Sequence, residues 1–384
     1  MVPDSGEDAP AHRPGLREVL RDWGRIGCLG FGGPPTHIRL LRELCVERRR
    51  WLRPGEFEDA IAVCNLLPGP ASTQLAIYCA WRVRGRPGAL VGGAAFIVPG
   101  LVLILALAAL FLAGSPPNWV RGAGAGAGGA VAAVAVHAGV SLLTPSWRRR
   151  RDTVRWLAYV LAGVLAAATL GPWLVLVLLG CGAVELCAQR MMPSGPVPGF
   201  APSLLTAGAF GAGGLLALGW MALKVGALSY GGGFVIIPLL GADAVEHHHW
   251  MTGAQFLNAV ALGQITPGPV VQTVAVVGYA AAGLAGGVLA SVVAFAPSFA
   301  FVLFGGRHFD RLRDNARARA LLDGAGPAAI GAILGSAIPL AEALSEPWQY
   351  GVLAGAAVLL FALRRGVVST LLLAGVVGAI TTLL

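Results

Sequence analysis

The residues best suited to chemistry come in two matched sets. Each set centres on a Pro-Gly-Pro break inside an apolar tract, Pro68-Gly69-Pro70 in the first half of the chain and Pro267-Gly268-Pro269 in the second. Proline removes a helical donor and clashes with the preceding turn, so each break splits its tract into two half-helices. Where a half-helix begins, free N–H groups point into the break and carry partial positive charge. Neutral hydrogen-bonding side chains gather at the same places: Asn65, Ser72, Thr73 and Gln74 around the first break, Gln264, Thr266, Gln272 and Thr273 around the second. Two glycine-rich stretches, CLGFGGPP (28–35) and LSYGGGF (228–234), allow backbone to approach a ligand closely. They supply Gly32 and Gly33 in one half, and Ser229, Tyr230, Gly231, Gly232 and Gly233 in the other. His37 follows the first stretch as a candidate ligand or proton group. Arg25 and Lys224, the only lysine in the chain, add one cation from each half. Such a shell of neutral donors, helix N-termini and cations suits a tetrahedral oxyanion. Asp59 and Asp323 are candidate proton carriers, because ionisable groups at membrane depth are functional candidates by default. No metal is expected: His247-His248-His249 reads as a solvated loop, and the six cysteines form no CxxC pair. No cofactor and no catalytic chemistry is expected either.

The elements that must position these residues follow from composition. Of 384 residues 56% are hydrophobic and only 12% charged, with a mean hydropathy of +0.72. A soluble chain is typically about 25% charged. The fold class expected is therefore an all-α polytopic membrane protein, with the lipid bilayer as its partner. The net charge of +9 then reads as an orientation signal rather than a surface for nucleic acid, and no nucleic-acid partner is expected. Arginine collects in 39–53, 82–86, 145–155, 305–319 and Arg364-Arg365, which the positive-inside rule makes cytoplasmic. The loops 241–254 and 341–349 carry acids and histidines, and are expected outside.

A shift of 199 residues lays 25–99 over 224–298 without a gap. Gly27 meets Gly226, Trp51 meets Trp250, one Pro-Gly-Pro meets the other, and Arg25 meets Lys224. The expected organisation is a cytoplasmic segment 1–22 with no signal peptide, a first repeat 23–189, a linker 190–203 and a second repeat 204–384. Loops 39–53 and 82–86 both read as cytoplasmic although an apolar tract joins them. That tract is therefore expected to enter and return, with the Pro-Gly-Pro at its tip, and 255–282 to do the same from the other face. Nine crossings result: 88–113, 120–143, 154–170, 172–189, 204–220, 286–305, 320–342, 350–363 and 366–384. With four re-entrant elements, the halves have opposite topology. Inverted repeats whose broken helices meet near the midplane mark secondary transporters. The ligand would sit between the two tips, with Arg25 and Lys224 near the two mouths.

FGGPPTHI (31–38), NLLPGPASTQLAIY (65–78), YGGGFVIIP (230–238) and QITPGPVVQTVAVVGY (264–279) resemble the paired signatures of the chromate ion transporter family in its long, two-domain form. The resemblance covers nearly the whole chain. It implies chromate export from a bacterial cytoplasm, driven by membrane potential or a proton gradient, with sulfate as the close structural analogue. It places Gly32, Gly33, His37, Pro68, Gly69, Pro70 and Gln74 on the first-half motif. On the second-half motif it places Gly231, Gly232, Gly233, Pro238, Pro267, Gly268, Pro269 and Gly278. One departure is visible: the second Pro-Gly-Pro is followed by VVQT rather than the STQ run of the first. The reading is a secondary transporter exporting chromate by alternating access across the cytoplasmic membrane, conferring resistance. A sulfate or other oxyanion carrier and an anion channel are the alternatives, and a chromate reductase would need a redox centre that the sequence does not supply. Oligomeric state stays open, a homodimer among the options.

Overall fold

The computed structural model describes residues 14–65, 67, 69–114, 116–169, 174–189, 214–229, 236–306 and 315–383. Every regular element among them is a helix. Ala71–Phe111, Asn118–Arg149, Val270–Gly305 and Ala316–Glu342 are long and apolar enough to cross a bilayer, and five shorter apolar helices accompany them. Their outward faces carry Leu90, Val102, Leu161, Val292 and Leu372, side chains that water would not tolerate in such numbers. The protein is a polytopic α-helical membrane protein.

The first half opens with α1 (Leu16–Leu29), which buries Val19, Trp23, Ile26 and Gly27 on one face. This helix starts inside the segment expected to be a polar N-terminal extension. Its polar residues hid an apolar stripe of helical spacing. Next come α2 (Pro34–Arg42), α3 (Pro54–Cys64) and α4 (Ala71–Phe111). The helix α4 is a hairpin of two legs, turned at Arg84 and Gly85, whose φ of 65° favours glycine. Gly88 and Gly92 pack on Ala80 across the hairpin. Glu56 at the start of α3 and Arg82 at the end of the first leg meet at 2.6 Å. The chain therefore does leave and return to one place between 56 and 82, as the charge pattern requires. The half closes with α5 (Asn118–Gly129), α6 (Val131–Arg149), α7 (Thr153–Thr169) and α8 (Leu174–Ala188).

The second half repeats this order: α9 (Leu215–Leu228), α10 (Ile236–Gly241), α11 (Gly253–Ile265) and α12 (Thr273–Gly305). Then follow α13 (Ala316–Gly335), α14 (Ala337–Glu342), α15 (Pro347–Ala357) and α16 (Val367–Thr381). The 199-residue shift carries α1 onto α9 end for end. It also carries the π-helical turn Glu43–Arg48 onto Ala242–His247, and Arg50 onto His249, both with φ of 50°. The hairpin turn of α12 lies at Ala282 and Gly283, one residue short of register. Gly27 packs on the Ala95 carbonyl and Gly226 on that of Ala294, the same crossing in both halves.

One expected boundary is corrected. The helix here is Leu215–Leu228, the mate of α1, and not a crossing that ends at 220; residues 204–213 lie outside the described ones. Lys224 is thus inside this helix, one turn before the glycine-rich stretch. The halves interlock through small residues that let backbones touch. Gly93 of α4 lies on Phe299 of α12, and Gly287 of α12 on Leu105 of α4, so the two equivalent second legs run antiparallel. Gly163 of α7 and Gly331 of α13 pack on each other's helices, and Gly126 of α5 packs on Ala374 and Gly378 of α16.

Candidate functional site

The two breaks are crossed over. After α3 the chain passes Asn65 and reaches Gly69, whose φ of 121° excludes ordinary side chains. A Cβ there would meet Gln74 Nε2 at 2.6 Å, and Gly226 O and Ser298 Oγ at 3.3 Å, the last two from α9 and α12. The second break reaches back. Gly268, with φ of 99°, donates its N–H to Gly30 O at 3.1 Å, and Gln272 Nε2 donates to Ile97 O at 2.6 Å. Gly100 is needed beside it, because any Cβ would collide with Pro267 O.

His37 is fully buried between these tips. Its Nε2 lies 2.9 Å from Gly30 O and its Nδ1 3.1 Å from Ser72 Oγ. A carbonyl only accepts, so Nε2 carries the proton and Nδ1 accepts the Ser72 hydroxyl. A neutral imidazole satisfies both partners. The ring also stands edge-on to Phe96, 5.0 Å between centroids.

Several expected ligand groups are used locally. Thr266 Oγ1 donates to Leu262 O at 2.8 Å and Thr273 Oγ1 to Val270 O at 2.9 Å. Others stay open. Thr73 Oγ1, Ser229 Oγ, Gln264 Nε2, Gln272 Oε1 and Ser298 Oγ are buried without a hydrogen-bond partner among the described residues. Buried polar atoms of this kind cost about 1–3 kcal/mol each when unmatched. Ser298 was missed by the sequence reading. Pro68, Tyr230, Gly231, Gly232 and Gly233 lie outside the described residues.

Arg25 and Lys224, the cations expected near the two mouths, lie on α1 and α9. Arg25 is exposed, on the side of α1 away from its buried face. Lys224 forms an ion pair with Asp243 at 2.7 Å, their side chains 21% and 8% exposed. Asp59 is exposed on α3. Asp323 is half-buried and pairs with Arg151 at 3.3 Å.

Asp323 belongs instead to a feature that no motif announced, a cavity of about 870 Å³ between α6, α7, α8, α13 and the first break. Asn65, Gly69 and Ala71 form its inner end, so the first turn of α4 and its free N–H groups begin there. Its walls carry five arginines (Arg149, Arg150, Arg151, Arg155 and Arg319) against the carboxylates of Asp152, Glu185 and Asp323. Asp152 Oδ1 accepts the N–H of Arg155 at 2.9 Å, which holds that carboxyl below the usual range. Deeper in, Glu185 is buried among Arg155, Tyr159 and Gln189. Glu185 was missed in the sequence, although it is the one charge in the apolar tract LVLVLLGCGAVELCA of α8.

Comparison with known proteins fits this architecture. A family model described as chromate transporter matches residues 17–186 and again 216–379, once in each half. A chromate transport protein of Cupriavidus metallidurans is 31% identical over 337 residues, covering 85% of this chain and 83% of that protein. A chromate transport protein of Pseudomonas aeruginosa is 32% identical over 350 residues, covering 84% and 80%. An uncharacterized transporter of Bacillus subtilis is 38% identical over 97 residues, 25% of this chain and 48% of its own length. No solved structure matches the chain.

Proposed function

The chain belongs to the chromate transporter family, and from that premise we propose that it exports chromate by alternating access between two inverted repeats. The observation that carries the proposal is the arginine-walled cavity that ends on the first Pro-Gly-Pro break. An anion drawn in by the arginines arrives at backbone N–H groups of a half-helix start. Behind that lining, the buried hydroxyl of Ser298, which has no hydrogen-bond partner among the described residues, lies close to Gly69. Both features suit a tetrahedral dianion, chromate by family and sulfate by shape.

The cavity is walled by 145–155 and the start of α13, which belong to two of the segments that the positive-inside rule assigns to the cytoplasm. In this assignment the state described is open inward and loads from the cell interior. The antiparallel packing of equivalent legs in α4 and α12 supports a two-fold axis in the membrane plane, as an inverted repeat requires. The outward state would follow when the second break takes the exposed position that the first holds here. Residues Gly69, Ser72, Thr73, Gln74, Ser229, Gln264, Gln272 and Ser298 are proposed as the substrate shell. His37 is proposed as the strut that couples the tips. Asp323 is proposed as a charged wall residue near the entrance.

The test is uptake of labelled chromate and labelled sulfate into everted vesicles, with and without an imposed proton gradient. Saturable chromate uptake that responds to the gradient or to membrane potential supports the proposal. Absence of uptake of both oxyanions overturns it.

A further inference from the structure

One wall of the cavity holds an ion pair that is less complete than its burial demands. The Glu185 side chain is 4% exposed, and its Oε2 lies 3.2 Å from Arg155 Nε. Tyr159 OH donates to the same oxygen at 2.9 Å, and Gln189 Nε2 donates to Oε1 at 2.9 Å. Yet Arg155 Nε–H is not aligned on Glu185 and makes no hydrogen bond. The Arg155 side chain remains 35% exposed and lines the cavity. A buried carboxylate kept purely for stability is expected to saturate its arginine in a two-pronged pair. This arginine keeps donors in reserve.

We propose that Arg155 and Tyr159 form a reception site for a tetrahedral oxyanion, and that the Glu185 carboxylate is the built-in anion that occupies it until cargo arrives. The inference rests on the oxyanion-transport reading above and adds to it a second binding station, short of the two tips. A carboxylate and a face of chromate or sulfate present the same thing to these donors, namely oxygens bearing negative charge. An arriving dianion takes over the guanidinium and the phenol O–H. Two anions cannot share one arginine at this depth, so the displaced carboxylate takes a proton from the cavity water. The O–H bond formed on Glu185 is the one covalent change, its proton supplied by the bulk solvent that fills the cavity. The other charged groups on the wall are Arg149, Arg150, Arg151, Asp152, Arg319 and Asp323. Asp323 is engaged by Arg151 and Asp152 by the α7 backbone, which leaves Glu185 as the acid directly against the guanidinium.

The experiment is equilibrium binding to the purified full-length protein. Labelled sulfate, a dianion throughout, is measured at about pH 6 and about pH 8, and labelled chromate at about pH 8. Wild-type protein is expected to bind sulfate at least about threefold more tightly at the lower pH. Glu185→Gln removes the competitor and is expected to bind both oxyanions about tenfold more tightly at pH 8, with little pH dependence. Arg155→Gln is expected to lose about tenfold. Wild-type affinity and pH profile in Glu185→Gln overturn the inference while leaving the transport reading intact. Should that variant fail to fold, the wild-type sulfate profile decides: equal affinity at the two pH values overturns it. Absence of binding of either oxyanion to wild-type protein removes this site and the transport reading together.

Discussion

The backbone N–H of Gly268 donates to the carbonyl oxygen of Gly30 at 3.1 Å. That carbonyl also accepts from His37 Nε2, whose other nitrogen accepts the hydroxyl of Ser72 at 3.1 Å. A single imidazole therefore joins the tip of the second break to the first turn after the first break. In the proposed cycle this buried imidazole is the strut that passes movement from one tip to the other.

His37→Phe keeps the ring against Phe96 but removes both polar contacts. The Ser72 hydroxyl is left without its buried partner, at about 1–3 kcal/mol. The expected result is a lower melting temperature and loss of most chromate uptake. His37→Gln, which can keep one of the contacts, is expected to fall between. Full uptake by His37→Phe contradicts the strut.

Lys224 and Asp243 separate two accounts of the only lysine. As an ion pair of low exposure, breaking one partner leaves a charge that is costly to bury, about 3–5 kcal/mol for deeply buried cases and less here, where Lys224 is 21% exposed. Lys224→Met alone is expected to reduce membrane-inserted protein. The double variant Lys224→Met with Asp243→Leu is expected to recover both level and uptake. A double variant that is stable but transports nothing would return Lys224 to the substrate path.

Gly226 touches the carbonyl of Ala294 so closely that an added methyl meets backbone, which cannot step aside. Gly226→Ala is expected to separate α9 from α12 and destabilise by about 1–3 kcal/mol, read as a fall in thermal midpoint. Gly219→Ala, where nothing lies within 4 Å, is the control and should melt like wild type.

Asp152 gives a pH prediction. Its carboxylate accepts the Arg155 N–H at the start of α7, and its pKa is lowered in the folded state by that bond. The contribution is therefore present above the ordinary carboxylate range and lost as pH falls through the lowered value. Asn caps without titrating. Acid-induced melting of Asp152→Asn should consequently fall less steeply than that of wild type across this window. Parallel curves contradict the assignment.

The two breaks and their partners were legible because proline and glycine state their geometry locally and the repeat states it twice. Gly69 and Gly268 take the backbone that the pattern demands, with φ of 121° and 99°. The return of the chain between Glu56 and Arg82 was legible from charge alone, since one bilayer face must hold both arginine clusters. What was not legible depends on elements far apart in sequence. The cavity needs α6, α7, α8 and α13 to meet, and no local pattern encodes that meeting. Ser298 becomes a site candidate only when Gly69 arrives beside it. Alignment of Arg25 with Lys224 was real as sequence, but the partners differ: Lys224 has Asp243, and the residue 199 positions before Asp243 is Leu44. Equivalent positions in a repeat need not keep equivalent electrostatics.

The most direct test of the account is the accessibility of the inner end of the cavity. A single cysteine is placed at Ala71, in protein whose six native cysteines are replaced, and is challenged with a membrane-impermeant thiol reagent in right-side-out and everted vesicles. The account predicts labelling from the face that bears residues 145–155, slowed by chromate at concentrations that saturate uptake. Labelling only from the opposite face, or at a rate indifferent to chromate, contradicts it.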